Sequence, residues 1–181
     1  MILRSHAQFI FHTYAVIAMC VAGCASSPET RASCAPPNPI ALTIEATSRL
    51  NPDAEGRALP TELRIYQLRH TNALEMATFE DVWSNAAGIL GEALVSEETL
   101  TLYPGDQLQR QIQPSEEAQA LALVAIVREP RGRTWRAIVP MNRHASSAES
   151  CPVLEPNRLI LRLDDYRIEA ITPRINQETR G

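Results

Sequence analysis

The sequence is 181 residues long, 45% apolar and 21% charged, with a formal net charge of −4 at pH 7. These values are ordinary for a globular protein, and a mildly acidic chain lacks the positive charge of a nucleic-acid-binding surface. All 17 basic residues are arginine. The sequence therefore excludes a lysine Schiff base and a P-loop lysine, and we expect no nucleic acid among the partners.

The chain begins with an apolar run that ends in Val21-Ala22-Gly23-Cys24, and Arg4 supplies a positive charge before it. Small residues before a cysteine are typical of a lipobox, which is cleaved between Gly23 and Cys24. The run is as long as a signal-peptide core and short for a membrane span of roughly 20 residues. We predict that residues 1–23 are a lipoprotein signal peptide and that Cys24 carries the lipid. The alternatives are a single-pass signal-anchor helix or a buried strand in a cytosolic protein.

Residues 24–39 are rich in Ser, Ala and Pro, which predicts a tether after the lipidated cysteine. Ala25 stands where an aspartate would retain an enteric lipoprotein in the inner membrane, so we expect anchoring in the outer membrane, facing the periplasm. Of the four cysteines, Cys34 and Cys151 remain as free thiols once the signal peptide with Cys20 is removed and Cys24 is lipidated. Two leftover cysteines most often pair in an oxidising compartment, so a disulfide is the favoured prediction. Two unpaired thiols are the alternative.

The remainder, residues 40–172, reads as short strands with turns between them, followed by a polar tail at 173–181. A helix with a capping box at Thr78 and Asp81 interrupts the strands near 78–90, because apolar residues there recur at helical spacing. Residues 48–60 and 140–156 read as exposed connections, and 103–106 as a type II turn. The fold class is mainly β: a two-sheet β-sandwich of about eight strands with a helical insertion between strands 2 and 3. The predicted strands cover 40–47, 61–68, 99–102, 108–112, 121–127, 134–139, 159–163 and 166–170.

Residues that could carry chemistry are sparse. Beyond the signal peptide the only histidines are His70 and His144. No zinc-ligand spacing, G-x-S-x-G nucleophile elbow or phosphate-binding loop is present. We predict no catalytic residue, no metal and no cofactor, and therefore a protein that is not an enzyme. An alternative function is a periplasmic lipoprotein that carries a small ligand between its sheets.

Several stretches, in this order behind a lipobox, resemble the outer-membrane lipoproteins of type VI secretion systems, the TssJ family. They are LTIEATSRLNPDAEGRALP, LRIYQL, the helix with Phe79 and Trp83, LYPGD, and VREPRGRTWRAIVP. The likeness covers most of residues 40–171. It implies a transthyretin-like β-sandwich with an added helical element.

The resemblance also implies a structural role in a trans-envelope membrane complex. Family members bind the periplasmic C-terminal domain of the inner-membrane protein TssM, and TssL belongs to the same complex. The family's contact region is the loop between the first two strands, with apolar residues flanking its polar tip. The partner-binding residues carried over to this sequence are Leu50, Asn51, Asp53, Glu55, Arg57 and Leu59.

Overall fold

The computed structural model describes residues 39–132, 134–144, 153–155 and 157–172. The predicted signal peptide, the predicted tether up to residue 38, the predicted tail at 173–181, and Cys24, Cys34 and Cys151 lie outside the described residues. Lipidation at Cys24, cleavage after Gly23 and the Cys34–Cys151 disulfide therefore stay predictions.

Two four-stranded sheets form the body of the fold, with strand orders β10-β9-β1-β4 and β3-β2-β5-β6. A separate two-stranded sheet pairs β7 with β8. The predicted β-sandwich with a helical element between strands 2 and 3 is confirmed. The strands are β1 (Ile40–Ala46), β2 (Thr61–Leu68), β3 (Leu94–Leu102), β4 (Gln107–Ile112), β5 (Ala120–Ile126), β6 (Arg136–Pro140), β7 (Asn142–His144), β8 (Val153–Glu155), β9 (Arg158–Asp164) and β10 (Arg167–Ile171).

The core lies between the two sheets and follows the period-two alternation of the strands. On β1 every second residue is buried, and on β2 Leu63 and Ile65 face the same interior. β5 is buried along nearly its whole length, on both faces. A strand covered on both faces reads as a continuous apolar run, which explains why LALVAIV shows no alternation.

The second face of β5 lies on the side of the sheet that carries the helical insert. The insert contains α1 (Asn72–Met76), α2 (Phe79–Leu90) and a 3-10 turn (Gly91–Ala93). Phe79 of α2 meets the buried Trp135 ring edge-on, with ring centroids 5.4 Å apart. The predicted capping box is confirmed: the Asp81 N–H donates to Thr78 Oγ1 (3.2 Å), and the Thr78 N–H donates to Asp81 Oδ2 (3.0 Å).

Arg136, a buried residue of β6, fastens the insert to the sheet. Its guanidinium donates to the carbonyl oxygens of Leu74, Glu75 (2.8 Å) and Ala77 (3.0 Å). These carbonyls end α1, where the helix has no further N–H groups to offer them. The guanidinium also lies 4.6 Å from the centre of the Trp135 ring.

The structure differs from the sequence prediction in several places. α1 and the 3-10 turn extend the predicted helical insert on both sides, and β6 begins at Arg136 rather than at 134. The connection at 140–156 contains β7 and β8, and β3 begins at Leu94 rather than at 99. α2 is interrupted at Asn85, whose φ of −153° is not helical. Asn85 Oδ1 accepts the Gly88 N–H (3.1 Å) and so caps the second half of α2. Gly88 permits this because a Cβ there would clash with the side-chain amide of Asn85.

Candidate functional site

Four connections meet at one end of the sandwich, namely residues 47–60, 103–106, 127–132 and 165–166, which we call the loop platform. β1 and β9 run parallel, so both deliver the chain to this end. The Gly105 N–H donates to the carbonyl oxygens of Ala46 (3.1 Å) and Thr47 (3.2 Å), and the Asn51 N–H donates to that of Asp165 (2.8 Å). These bonds join loops from both sheets into one surface.

Asn51 is the central tie of the loop platform. It is buried and adopts a left-handed conformation with φ of +46°, which asparagine tolerates better than most residues. Its Oδ1 accepts the Arg128 N–H (2.8 Å), and its Nδ2 donates to the Pro60 carbonyl (3.2 Å). The side chain therefore links the two ends of the first loop to each other and to the β5–β6 loop.

The tip of the first loop is organised around the Asp53 carboxylate. Asp53 Oδ1 accepts the N–H groups of Glu55 (3.0 Å) and Arg57 (2.8 Å), and Oδ2 accepts Arg57 Nε (2.7 Å). Hydrogen bonding to the Arg57 N–H is the largest of the effects that lower the pKa of Asp53, so the carboxylate is charged at neutral pH. Gly56 completes the turn with φ of +80°.

The six residues that the resemblance selects do not share one role. The Leu50 side chain is buried in the core, and Leu59 is half-buried with its N–H on the Leu50 carbonyl (3.0 Å). The Asp53 side chain is only 10% exposed. Glu55 and Arg57, by contrast, expose 68% and 75% of their side chains. The first group shapes the loop from within, whereas Glu55 and Arg57 form its exposed tip.

Sequence reasoning missed other exposed residues of the loop platform. The side chain of Tyr103 is 57% exposed beside the β3–β4 turn, and Arg49 and Arg131 project from neighbouring loops. The type II turn itself is confirmed, with φ of +89° at Gly105 and the Asp106 N–H on the Tyr103 carbonyl (3.1 Å). The sequence already predicted this turn, and that prediction was the signal from which Tyr103 could have been assigned to the same end of the sandwich as the first loop.

Several charges on and beside the loop platform form ion pairs. Arg49 pairs with Asp164, which also accepts Thr47 Oγ1 at 2.7 Å. The Thr47 hydroxyl is the main cause of the lowered pKa of Asp164. Beside this pair lies an open depression of about 440 Å³, whose other charged lining residues are Glu45 and Arg162, 3.1 Å apart. The lining of this depression is therefore polar, with its two arginines each paired with a carboxylate.

Tyr166 stiffens the remaining side of the loop platform. Its hydroxyl donates to the Pro52 carbonyl (2.9 Å), and the Arg131 guanidinium lies 5.6 Å from the centre of its ring.

Within the described residues, no three His, Cys, Asp or Glu side chains lie close enough together to hold a metal ion. None of the described helices has the length and apolar character to span a membrane.

Comparisons with known proteins agree with this fold. The family model of the type VI secretion lipoproteins (VasD, EvfM, TssJ) matches residues 38–166. No curated protein matches the sequence. The structure of the lipoprotein TssJ1 from Pseudomonas aeruginosa is similar at 26% identity and a TM-score of 0.65, covering 77% of this chain and 98% of that one.

Two further solved structures show the same fold. Lip from Serratia marcescens, described as a membrane-bound component of the type VI secretion system, has 19% identity and a TM-score of 0.61. A chain in a structure described as the TssM C-terminal domain from EAEC has 20% identity and a TM-score of 0.59. They cover 75% and 74% of this chain, and 98% of each of those chains is covered. Because the family model spans most of the sequence, the chain belongs to the type VI secretion lipoprotein family, TssJ.

Proposed function

We propose that this protein is a structural subunit of the trans-envelope membrane complex of a type VI secretion system. It is anchored in the outer membrane through lipidated Cys24 after cleavage between Gly23 and Cys24, and it faces the periplasm. Its loop platform binds the periplasmic C-terminal domain of the inner-membrane protein TssM, and TssL belongs to the same complex. The protein contributes a docking surface and an attachment point rather than catalysis.

The observation that carries the proposal is the position of the loop platform relative to the start of the domain. β1 begins at Ile40, shortly after the predicted lipid site, and leads directly to the loop platform. Seven residues of strand cover about 20 Å. The chain enters the domain at the start of β1 and the loop platform lies at the other end of that strand, which favours the loop platform as the surface that meets a protein rising from the inner membrane.

The rigidity of the loop platform supports the same role. The Asn51 and Asp53 side chains and the Tyr166 hydroxyl fix the first loop from within, so little conformational freedom is lost when a partner binds. Glu55 and Arg57 at its tip are charged and mostly exposed. A protein of the same fold occurs in a structure described as the TssM C-terminal domain, which also favours TssM as the partner.

Exchanging the two tip charges tests the docking role. The variant Glu55→Arg/Arg57→Glu keeps the net charge but reverses the sign at each position. We expect at least a tenfold loss of affinity for the purified TssM periplasmic domain, since charges placed against the wrong sign cost several kcal/mol at an interface. Isothermal titration calorimetry measures the affinity. The free energy of unfolding should fall by no more than about 1 kcal/mol, because the pair of Arg57 with Asp53 is lost but the backbone N–H groups of residues 55 and 57 still hold the Asp53 carboxylate.

A matched exchange at the opposite end serves as the control. Glu116 and Arg158 are both exposed, and Arg158 pairs with Ala41 at the start of β1. The variant Glu116→Arg/Arg158→Glu should bind TssM as the wild type does. If the tip exchange binds TssM with undiminished affinity, the docking site is elsewhere on the protein.

Replacing Cys24 by serine tests the anchor. The thiol is the site of lipid attachment, and stable membrane binding takes at least two acyl chains, so an unlipidated domain should leave the outer membrane. We expect the Cys24→Ser protein to retain its signal peptide and to disappear from the outer-membrane fraction of a sucrose gradient. Cys20→Ser is the matched control, because Cys20 would be removed with the signal peptide. An outer-membrane fraction that keeps the Cys24→Ser protein would contradict the lipid anchor.

A further inference from the structure

β3 forms an edge of its sheet, because it pairs with β2 on one side and has no neighbouring strand on the other among the described residues. It is nine residues long. Along such an edge, every second residue turns its N–H and C=O away from the sheet. The β3 edge can therefore pair with one more strand.

Both faces of β3 are open as well as its edge. Side chains alternate between faces along a strand, so a strand at the rim of a closed sandwich would bury every second residue. In β3 the four consecutive residues from Ser96 to Thr99 are all exposed. The rim of the sandwich is thus uncovered here. On the far side β10 lies close to β6, and the Ile168 N–H of β10 donates to the carbonyl of Thr134, two residues before β6 (2.8 Å).

A depression lies on each side of β3. The outer one, of about 350 Å³, is bounded by α2 and contains Trp83, Glu62 and Glu97. The inner one, of about 190 Å³, lies between β3 and β4 and is lined by Gln67, Gln111 and other residues. A strand added to β3 would direct its side chains alternately to these two sides. Main-chain pairing with pockets for alternate side chains is the geometry by which proteins bind extended peptides.

The two depressions differ in charge. In the outer one, Arg64 is already bound to Glu62 (2.6 Å) and to the Val82 carbonyl (3.0 Å), while Glu97 forms no ion pair within the described part of the chain. The Trp83 indole, 52% exposed, lies beside these carboxylates. A carboxylate next to an indole face suits a guanidinium or ammonium group. In the inner depression, Arg110 lies 3.8 Å from Glu98 and partly neutralises it, so the lining suits uncharged polar side chains.

We propose that the β3 edge binds an extended segment of another protein by strand addition. The segment carries arginine or lysine at the positions that face Trp83 and Glu97, and uncharged polar residues at the positions between them. This surface is separate from the loop platform and needs no TssM. A second copy of this chain is the wrong occupant, because antiparallel pairing of two β3 strands would bring Glu97 and Glu98 of one copy against those of the other.

A synthetic peptide tests the proposal directly. The probe is the blocked heptapeptide Arg-Thr-Arg-Thr-Arg-Thr-Arg, titrated into the full chain purified in detergent. Its control is the same peptide N-methylated at its internal amides, which keeps the charge but cannot pair with a strand. Trp83 reports binding, because the protein has two tryptophans and Trp135 is buried. We expect the unmodified peptide to reduce acrylamide quenching of tryptophan fluorescence and to slow amide hydrogen exchange in β3.

Variants separate strand pairing from general attraction of charge. Glu97→Gln should weaken binding of the heptapeptide at least threefold, whereas the matched change Glu116→Gln should leave the affinity unchanged. The tip variant Glu55→Arg/Arg57→Glu should also bind the peptide normally, which keeps this proposal distinct from the docking of TssM. Equal binding of the N-methylated peptide, unchanged hydrogen exchange in β3, or no binding at all would overturn the proposal. Dimers in sedimentation velocity that Glu97→Gln strengthens would identify a second copy as the occupant and overturn it too.

Discussion

Replacing Arg136 by methionine is expected to lower the free energy of unfolding by about 3 kcal/mol, because the change leaves buried carbonyl groups without a donor. The guanidinium donates to the carbonyls of Leu74, Glu75 and Ala77, and no other side chain within the described residues donates to them. Methionine fills a similar volume but donates nothing. Loss of the contact with the Trp135 ring, 4.6 Å away, removes about 0.5–2 kcal/mol of cation–π attraction as part of that total.

Urea denaturation measures the loss, and hydrogen exchange locates it. The amides of α1 should exchange faster than those of β5, because α1 is released before the sandwich unfolds. Arg136→Lys should fall between wild type and methionine, since an ammonium keeps the charge but cannot span three carbonyls in a plane. Arg110→Met is the matched control: Arg110 is exposed with one long ion pair, and the change should cost less than about 0.5 kcal/mol. An Arg136→Met protein as stable as that control would show that Arg136 does not hold the insert.

The sequence predicts those parts of the fold whose signals are local. The alternation in β1 shows which side chains are buried, and Thr78 with Asp81 marks the start of α2, because a capping box needs only residues three apart. The parallel pairing of β1 with β9 has no such signal, since Leu42 and its partner Leu159 are more than a hundred residues apart. Strand order is set by packing between distant segments, which a single sequence does not display.

The first half of β3 was missed for a different physical reason. Alternation appears only where one face of a strand is buried, and the residues from Ser96 to Thr99 are exposed on both faces. The same openness that removes the strand signal leaves the β3 edge free to pair. The exposure of β3 therefore explains why its first half was not predicted, and the same exposure leaves room beside β3 for a further strand.

The sequence predicted the candidate site as an exposed loop, but it did not show which polar residues shape the loop and which are exposed at its tip. Asp53, Glu55 and Arg57 are polar residues close together in an exposed connection. Such side chains can hydrogen-bond either to another molecule or to the nearby backbone. Which of them turns inward depends on the path of the loop. Asp53 sits where three donors converge, whereas Glu55 and Arg57 point outward.

Replacing Asn51 by alanine is expected to lower the free energy of unfolding by about 3 kcal/mol, from two separate causes. Alanine at φ of +46° costs about 1 kcal/mol more than asparagine, because both carry a Cβ but alanine lacks the short polar side chain whose local hydrogen bonds offset the strain of the left-handed region. The Arg128 N–H and the Pro60 carbonyl also lose their partner, and each of these part-buried hydrogen bonds contributes about 0.5–1.5 kcal/mol. Equilibrium unfolding in urea measures the sum.

Asn51→Gly separates the two causes, because glycine adopts a positive φ freely but makes no side-chain hydrogen bond. It should recover about 1 kcal/mol relative to alanine and no more. Both variants should also bind the TssM periplasmic domain more weakly at temperatures where they remain folded, since the tip charges are then presented on a loosened loop. If both variants are as stable as wild type, Asn51 is not the tie of the loop platform. If they are destabilised but bind TssM with wild-type affinity, the rigidity of the loop platform is dispensable, and the exposed tip alone accounts for docking.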